Sequence, residues 1–165
     1  MTGNKGDYIG ELVKNGVIAF VPSGNSMWPT LKSRKQSVIV KRKTKRLRPM
    51  DVALYRREDG SNVLHRVIKV VKDGYVMCGD SQFTLEKVAE DNVYGVMSAF
   101  YRGKRCIEVT DKDYIEQVKR LFANEKRRKF RVKAFFLRRR IISLPFRAWR
   151  KIFGRKKAVK GENNG

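Results

Sequence analysis

The spacing of apolar positions changes twice along the chain. Over residues 7–15 (DYIGELVKN), Ile9, Leu12 and Val13 fall on one helical face behind Asp7, which predicts a short helix capped by that aspartate. From residue 17 onward the pattern becomes short β-branched and aromatic runs. These are Val17–Val21, Ser37–Lys43, Val52–Arg56, Val63–Val71, Tyr75–Cys78, Val88–Asn92 leading into Val93–Tyr101, and Cys106–Val109. Turn residues separate them, at Pro22-Ser23-Gly24-Asn25, Leu47–Asp51, Glu58–Ser61, Lys72–Gly74 and Gly103. Short strands between Gly and Asp turns predict a compact, mostly antiparallel β-domain over 16–110. After it the helical period returns. Asp111 or Asp113 caps a run with Tyr114, Val118, Leu121 and Phe122 at helical spacing. Phe135, Phe136, Ile141, Ile142, Trp149, Ile152 and Phe153 then alternate with basic residues, and Pro145 breaks or kinks the run. The expected organisation is an N-terminal helical extension (1–15), the β-domain (16–110), a basic amphipathic helical tail (111–160) and a frayed end (161–165).

Charge sharpens this division. The 165 residues hold 39 Lys and Arg against 16 Asp and Glu, a formal net charge of +23. Residues 117–160 contain 18 Lys/Arg and a single acid, Glu125, and residues 32–48 contain nine more with no acid. The remainder is close to balanced. Such a field draws polyanions. Because Phe, Ile and Trp interleave with the tail's charges, an anionic membrane surface is the leading expectation for its partner. A protein partner ranks second and nucleic acid last. Val17–Val21 is too short for a signal-peptide core, and four arginines interrupt Ala134–Trp149, so no spanning segment is expected. The reading is of a cytoplasmic or peripheral membrane protein.

The inventory of reactive residues is small. Two cysteines, Cys78 and Cys106, are too few for a disulfide framework, and they read as small buried hydrophobes. A zinc site would need His65, both cysteines and a carboxylate, with no CxxC spacing to support it. No metal or cofactor is expected. The most informative segment is Pro22-Ser23-Gly24-Asn25-Ser26-Met27-Trp28-Pro29-Thr30-Leu31. Gly24 permits a sharp turn that presents Ser26, with the Ser26 N–H available to a developing oxyanion. A serine needs a base. His65 is the one histidine, on the strand Val63–Val71, and an ordinary imidazole is mostly neutral at pH 7. Asp80, which ends the next strand in Cys78-Gly79-Asp80-Ser81, is the first candidate to orient it.

Together these segments resemble the signal peptidases and their S24/S26 relatives, which include LexA-type self-cleaving proteins. Ser26-Met27 with Pro29-Thr30-Leu31 resembles the nucleophile box. Arg48-Pro49-Met50-Asp51-Val52-Ala53 resembles the following "GDV" strand, with Met50 where glycine is usual. Leu64-His65-Arg66-Val67-Ile68 resembles the base-carrying box, Gly79-Asp80-Ser81 the "GDN" box, and Tyr94-Gly95-Val96 the closing strand. The likeness spans roughly residues 17–103. A histidine in the base position resembles the endoplasmic-reticulum type, whereas bacterial housekeeping enzymes carry lysine there. The resemblance implies Ser26 as nucleophile and His65 as base. It also places a second acid six residues beyond the GD box, on Glu86, as the alternative to Asp80. Many members have an oxyanion-donating serine two residues before the nucleophile; this chain has Gly24. Asn25, Ser26 and Met27 would then form the oxyanion hole and the substrate groove.

The function expected from the sequence is therefore that of a serine endopeptidase cutting a signal or leader peptide from a peptide or preprotein substrate. The alternative is a non-enzymatic protein on the same fold that binds membrane or another polyanion through its charge.

Overall fold

The computed structural model describes residues 7–142, with side chains to Arg138. It is mainly antiparallel β. The elements are α1 (Tyr8–Asn15), β1 (Val17–Phe20), β2 (Val38–Arg42), β3 (Val52–Arg56), β4 (Asn62–Val71), β5 (Gly74–Cys78), β6 (Glu86–Ala89), β7 (Val93–Arg102), β8 (Arg105–Glu108), α2 (Lys112–Phe122) and α3 (Glu125–Ile142). The sheet runs β1-β2-β7-β3-β4-β5-β6, and β8 pairs with β7. Strand β7 pairs with β2 over 95–100 along one side, and with β3 and then β8 in successive parts of its other side.

Both faces of the central strands are covered. Val52 and Leu54 of β3 pack into one cluster with Val38, Val40, Leu64, Met97 and Phe100. Ala53 and Tyr55 pack into another with Val67, Tyr75, Met77, Val88 and Val93. This follows from the period of two along a strand. Helix α1 enters the first cluster through Ile9 and Leu12. Gly95 makes that docking feasible, because a Cβ there would lie 2.6 Å from Leu12 Cδ2 and 2.6 Å from Val40 Cγ1. Asp7 occupies the N-cap of α1 without a side-chain capping bond; its carboxylate instead accepts from Arg56 at 2.9 Å.

Cys78 is buried as expected, whereas Cys106, expected to be buried, is exposed on β8. Three further local expectations change. The sixth strand spans Glu86–Ala89, and Glu90–Asn92 form a 3-10 turn where the sequence suggested a strand. Only Val88 of that strand is buried, so its apolar signal is one residue long. Second, α2 belongs with the β-domain. The compact unit extends to Ala123, and Tyr114 and Val118 join the first core cluster. Third, α3, which lies in the second unit (Asn124–Gly165), is helical but not two-faced. Its Phe130, Val132, Phe135, Phe136 and Leu137 are distributed around the helix, so no single apolar stripe forms. The expectations for Pro145, Trp149, Ile152, Phe153 and the end of the chain lie outside the described residues.

Candidate active site

Ser26 sits in the turn after β1, and its position is set by the chain segment after β5. Ser81 N donates to the Ser26 carbonyl at 2.8 Å, and Ser81 Oγ donates to the carbonyls of Asn25 at 2.9 Å and Ser26 at 3.0 Å. Gly79 allows this approach, since a Cβ at that position would fall 2.7 Å from the Ser26 carbonyl oxygen. Among the described residues none accepts from the Ser26 amide. Met27, buried beneath the turn, is both a core residue and part of the cavity wall. Asn25 is half-buried, and Gly24 has open space around its missing Cβ.

Ser26 and His65 line the same cavity, of about 340 Å³, together with Ser23, Gly24, Leu54 and Gln82. His65 is 3% exposed. Burial and the nearby Arg57 cation push its pKa down from 6.5 to about 4, against the opposing pull of Glu86 and Asp80. The ring is therefore neutral at pH 7 and can accept a proton.

The two candidate acids occupy different places. Asp80 is fully buried beside Arg66, whose Nε and Nη2 donate to its two oxygens at 2.7 Å each, and Thr30 also donates to it. Arg66 further donates to the Met50 carbonyl at 2.8 Å and stacks over the Phe122 ring at 5.7 Å. Burial works against its charge, but Asp80 holds Arg66 protonated well above the usual arginine range. Asp80 is thus the partner of Arg66, and the structure does not bring it into hydrogen-bonding contact with His65. The cause is the strand itself: His65 and Arg66 are consecutive, so they point to opposite faces of β4.

Glu86 lies on the histidine side. Its Oε2 is 3.9 Å from His65 Nδ1, too far for a hydrogen bond, and Tyr55 bridges the gap. The Tyr55 hydroxyl donates to Glu86 Oε2 at 2.7 Å and stands 3.1 Å from His65 Nδ1. Arg57 grips Glu86 through Nε and Nη2, at 2.6 and 2.7 Å, and this pairing lowers the carboxyl's pKa. Burial, followed by the bond to Glu86, raises the Tyr55 phenol, so it keeps its proton. Sequence reasoning missed Tyr55 and Arg57. Tyr55 reads as an ordinary core aromatic, and its role emerges only from the β3–β4 register, which pairs Ala53 with His65 and sets Tyr55 diagonally beside it.

A larger open groove of about 920 Å³ runs along the ends of β3–β6, but neither Ser26 nor His65 lines it. Its charged residues are of both signs, so it selects no ligand class. No group of metal-ligating side chains is present among the described residues. Among those residues, no helix is long and apolar enough to cross a membrane. Comparison with protein-family models finds no match to this chain, and comparison with curated proteins finds no similar sequence.

Proposed function

We propose that the protein is a serine endopeptidase of the signal-peptidase type, with Ser26 as nucleophile and His65 as base. The observation that carries this reading is that Ser26 and a neutral, buried His65 open onto one cavity, although they come from a turn and a strand far apart in sequence. His65 Nε2 takes the Ser26 hydroxyl proton as Oγ attacks the scissile carbonyl. The oxyanion is held by the Ser26 amide, His65 returns the proton to the leaving amine, and water releases the acyl-enzyme. The resemblance of the motifs suggests an extended substrate laid along a strand edge, with small side chains near the cut. A signal or leader peptide fits that description.

The basic tail would hold the enzyme peripherally on an anionic membrane. Since α3 presents no apolar stripe, charge rather than insertion supplies the attraction over residues 125–142. The test is cleavage of a panel of signal-peptide-like substrates, with anionic vesicles present, by wild type, Ser26→Ala and His65→Ala. Loss of cleavage in both variants, by at least roughly 10³-fold, is expected. Vesicle binding without any cleavage by folded wild type would instead favour the polyanion-binding alternative. Such binding would fall steeply with salt and be indifferent to Ser26→Ala.

A further inference from the structure

We propose that Tyr55 is the positioning residue for His65: its phenol oxygen accepts the Nδ1 proton while its own proton goes to Glu86, leaving Nε2 as the proton-accepting nitrogen. The argument is one of hydrogen-atom counting. A phenol has one proton to give and lone pairs to offer. Glu86 is a carboxylate gripped by Arg57 at 2.6 and 2.7 Å, so it can only accept. The Tyr55 oxygen lies 2.7 Å from Glu86 Oε2. With no proton between them, two sets of lone pairs would face each other at that distance. Tyr55 must therefore donate to Glu86. Its remaining contact, 3.1 Å to His65 Nδ1, is a hydrogen bond only if Nδ1 carries the proton. Glu86 cannot serve directly, at 3.9 Å.

This arrangement deepens the peptidase reading and rests on it for its catalytic consequence. When Nε2 takes the Ser26 proton, the imidazolium charge is met by Glu86 across the tyrosine. No proton needs to leave Nδ1. Burial and Arg57 make His65 a weak base in the resting state, so a partner that strengthens its hold on the incoming proton matters more here. The groups around the ring are Tyr55 and Arg57 at the end of β3 and Glu86 on β6, with Asp80 acting at longer range from the segment after β5.

His65 is the one histidine in the chain, so its ring nitrogens can be read without assignment. The experiment is nitrogen NMR of the full-length protein labelled at histidine, between pH 5.5 and 8, alongside peptide cleavage. Wild type is expected to show the Nδ1–H tautomer. Tyr55→Phe, which keeps the ring packing, is expected to give a mixture with Nε2–H and to lower kcat by roughly 10–100-fold with KM little changed. Glu86→Gln, at a more exposed position, removes the obligate acceptor and is expected to produce an Nε2–H fraction as well. An Nε2–H tautomer in wild type, or an Nδ1–H tautomer unchanged in both variants, overturns the proposal. If the tautomers behave as stated but wild type cleaves no peptide, the positioning stands and the peptidase reading fails.

Discussion

His65 and Arg66 are neighbours in the chain, yet they serve two different clusters. On one face Arg66 and Asp80 are both without exposed side-chain surface and close a bond network that reaches Thr30 and Met50. On the other face His65, Tyr55 and Glu86 form a row that opens onto the cavity beside Ser26 and, at Glu86, towards solvent. Both clusters contain an acid, and burial separates their uses. Asp80, without exposed surface and on the Arg66 face of β4, accepts from Arg66 and Thr30 and holds the chain together beneath the Ser26 turn. A carboxylate at the rim, held by Arg57, can still respond to a charge appearing on His65. Each acid accepts an arginine through two bonds and one hydroxyl, so the two are sorted by the strand face they serve and by their burial.

The sharpest way to break the comparison is to remove each acid in turn. Asp80→Ala leaves Arg66 buried and unpaired, and we expect a loss of about 3–5 kcal/mol of stability in urea unfolding. Glu86→Gln should cost less than about 1 kcal/mol, being at the rim, while lowering cleavage roughly tenfold or more. Equal destabilisation by the two would erase the distinction.

The pH dependence separates the faces next. The folded pKa of His65, about 4, lies below its ordinary 6.5, so the unfolded chain binds a proton that the folded one refuses. The stabilising contribution of neutral burial is complete above pH 6.5. It is lost as pH falls from 6.5 towards 4, by about 3 kcal/mol for a shift of this size. Stability–pH curves of wild type and His65→Gln should converge in slope above pH 6.5 and diverge below it. A wild-type curve flat from pH 6.5 to 4.5 would contradict the burial of a neutral ring.

The smallest expected effect concerns Met50, whose carbonyl serves the Arg66 cluster. Its φ of 79° lies in the left-handed region, where the resembling motifs carry glycine. Met50→Gly should raise the melting temperature by a few degrees, corresponding to about 1 kcal/mol, with His65's tautomer untouched.

Much of this architecture is legible in the sequence alone. Val52–Arg56 was expected over the same residues that form the strand, and Val38–Val40 and Val63–Val71 were visible as β-branched runs, because two-sided burial demands such residues. Ser26 and His65 stood out through their turn and their scarcity. The pairing of Arg66 with Asp80 did not, since neither residue carries a local sign of the other. Tyr55 was hidden for a related reason: an aromatic in a buried strand satisfies the packing pattern whether or not its hydroxyl has a task. The polar start of the sixth strand, Glu86-Lys87, offers periodicity nothing to detect, and Glu86 is singled out only by its spacing from Asp80 in the resembling motifs.

The three-way pairing of β7 also sets a timetable for biosynthesis. β2 ends at Arg42, and its inner neighbour begins at Val93, so about 50 residues must be added before that edge can be covered, several seconds at ordinary translation rates. During that interval Val38, Ile39 and Val40 form a nascent edge open to association with other chains. The Lys41-Arg42-Lys43 run that follows immediately would keep like strands apart. Part of the chain's excess positive charge thus sits where it would oppose strand-to-strand association before the sheet is complete.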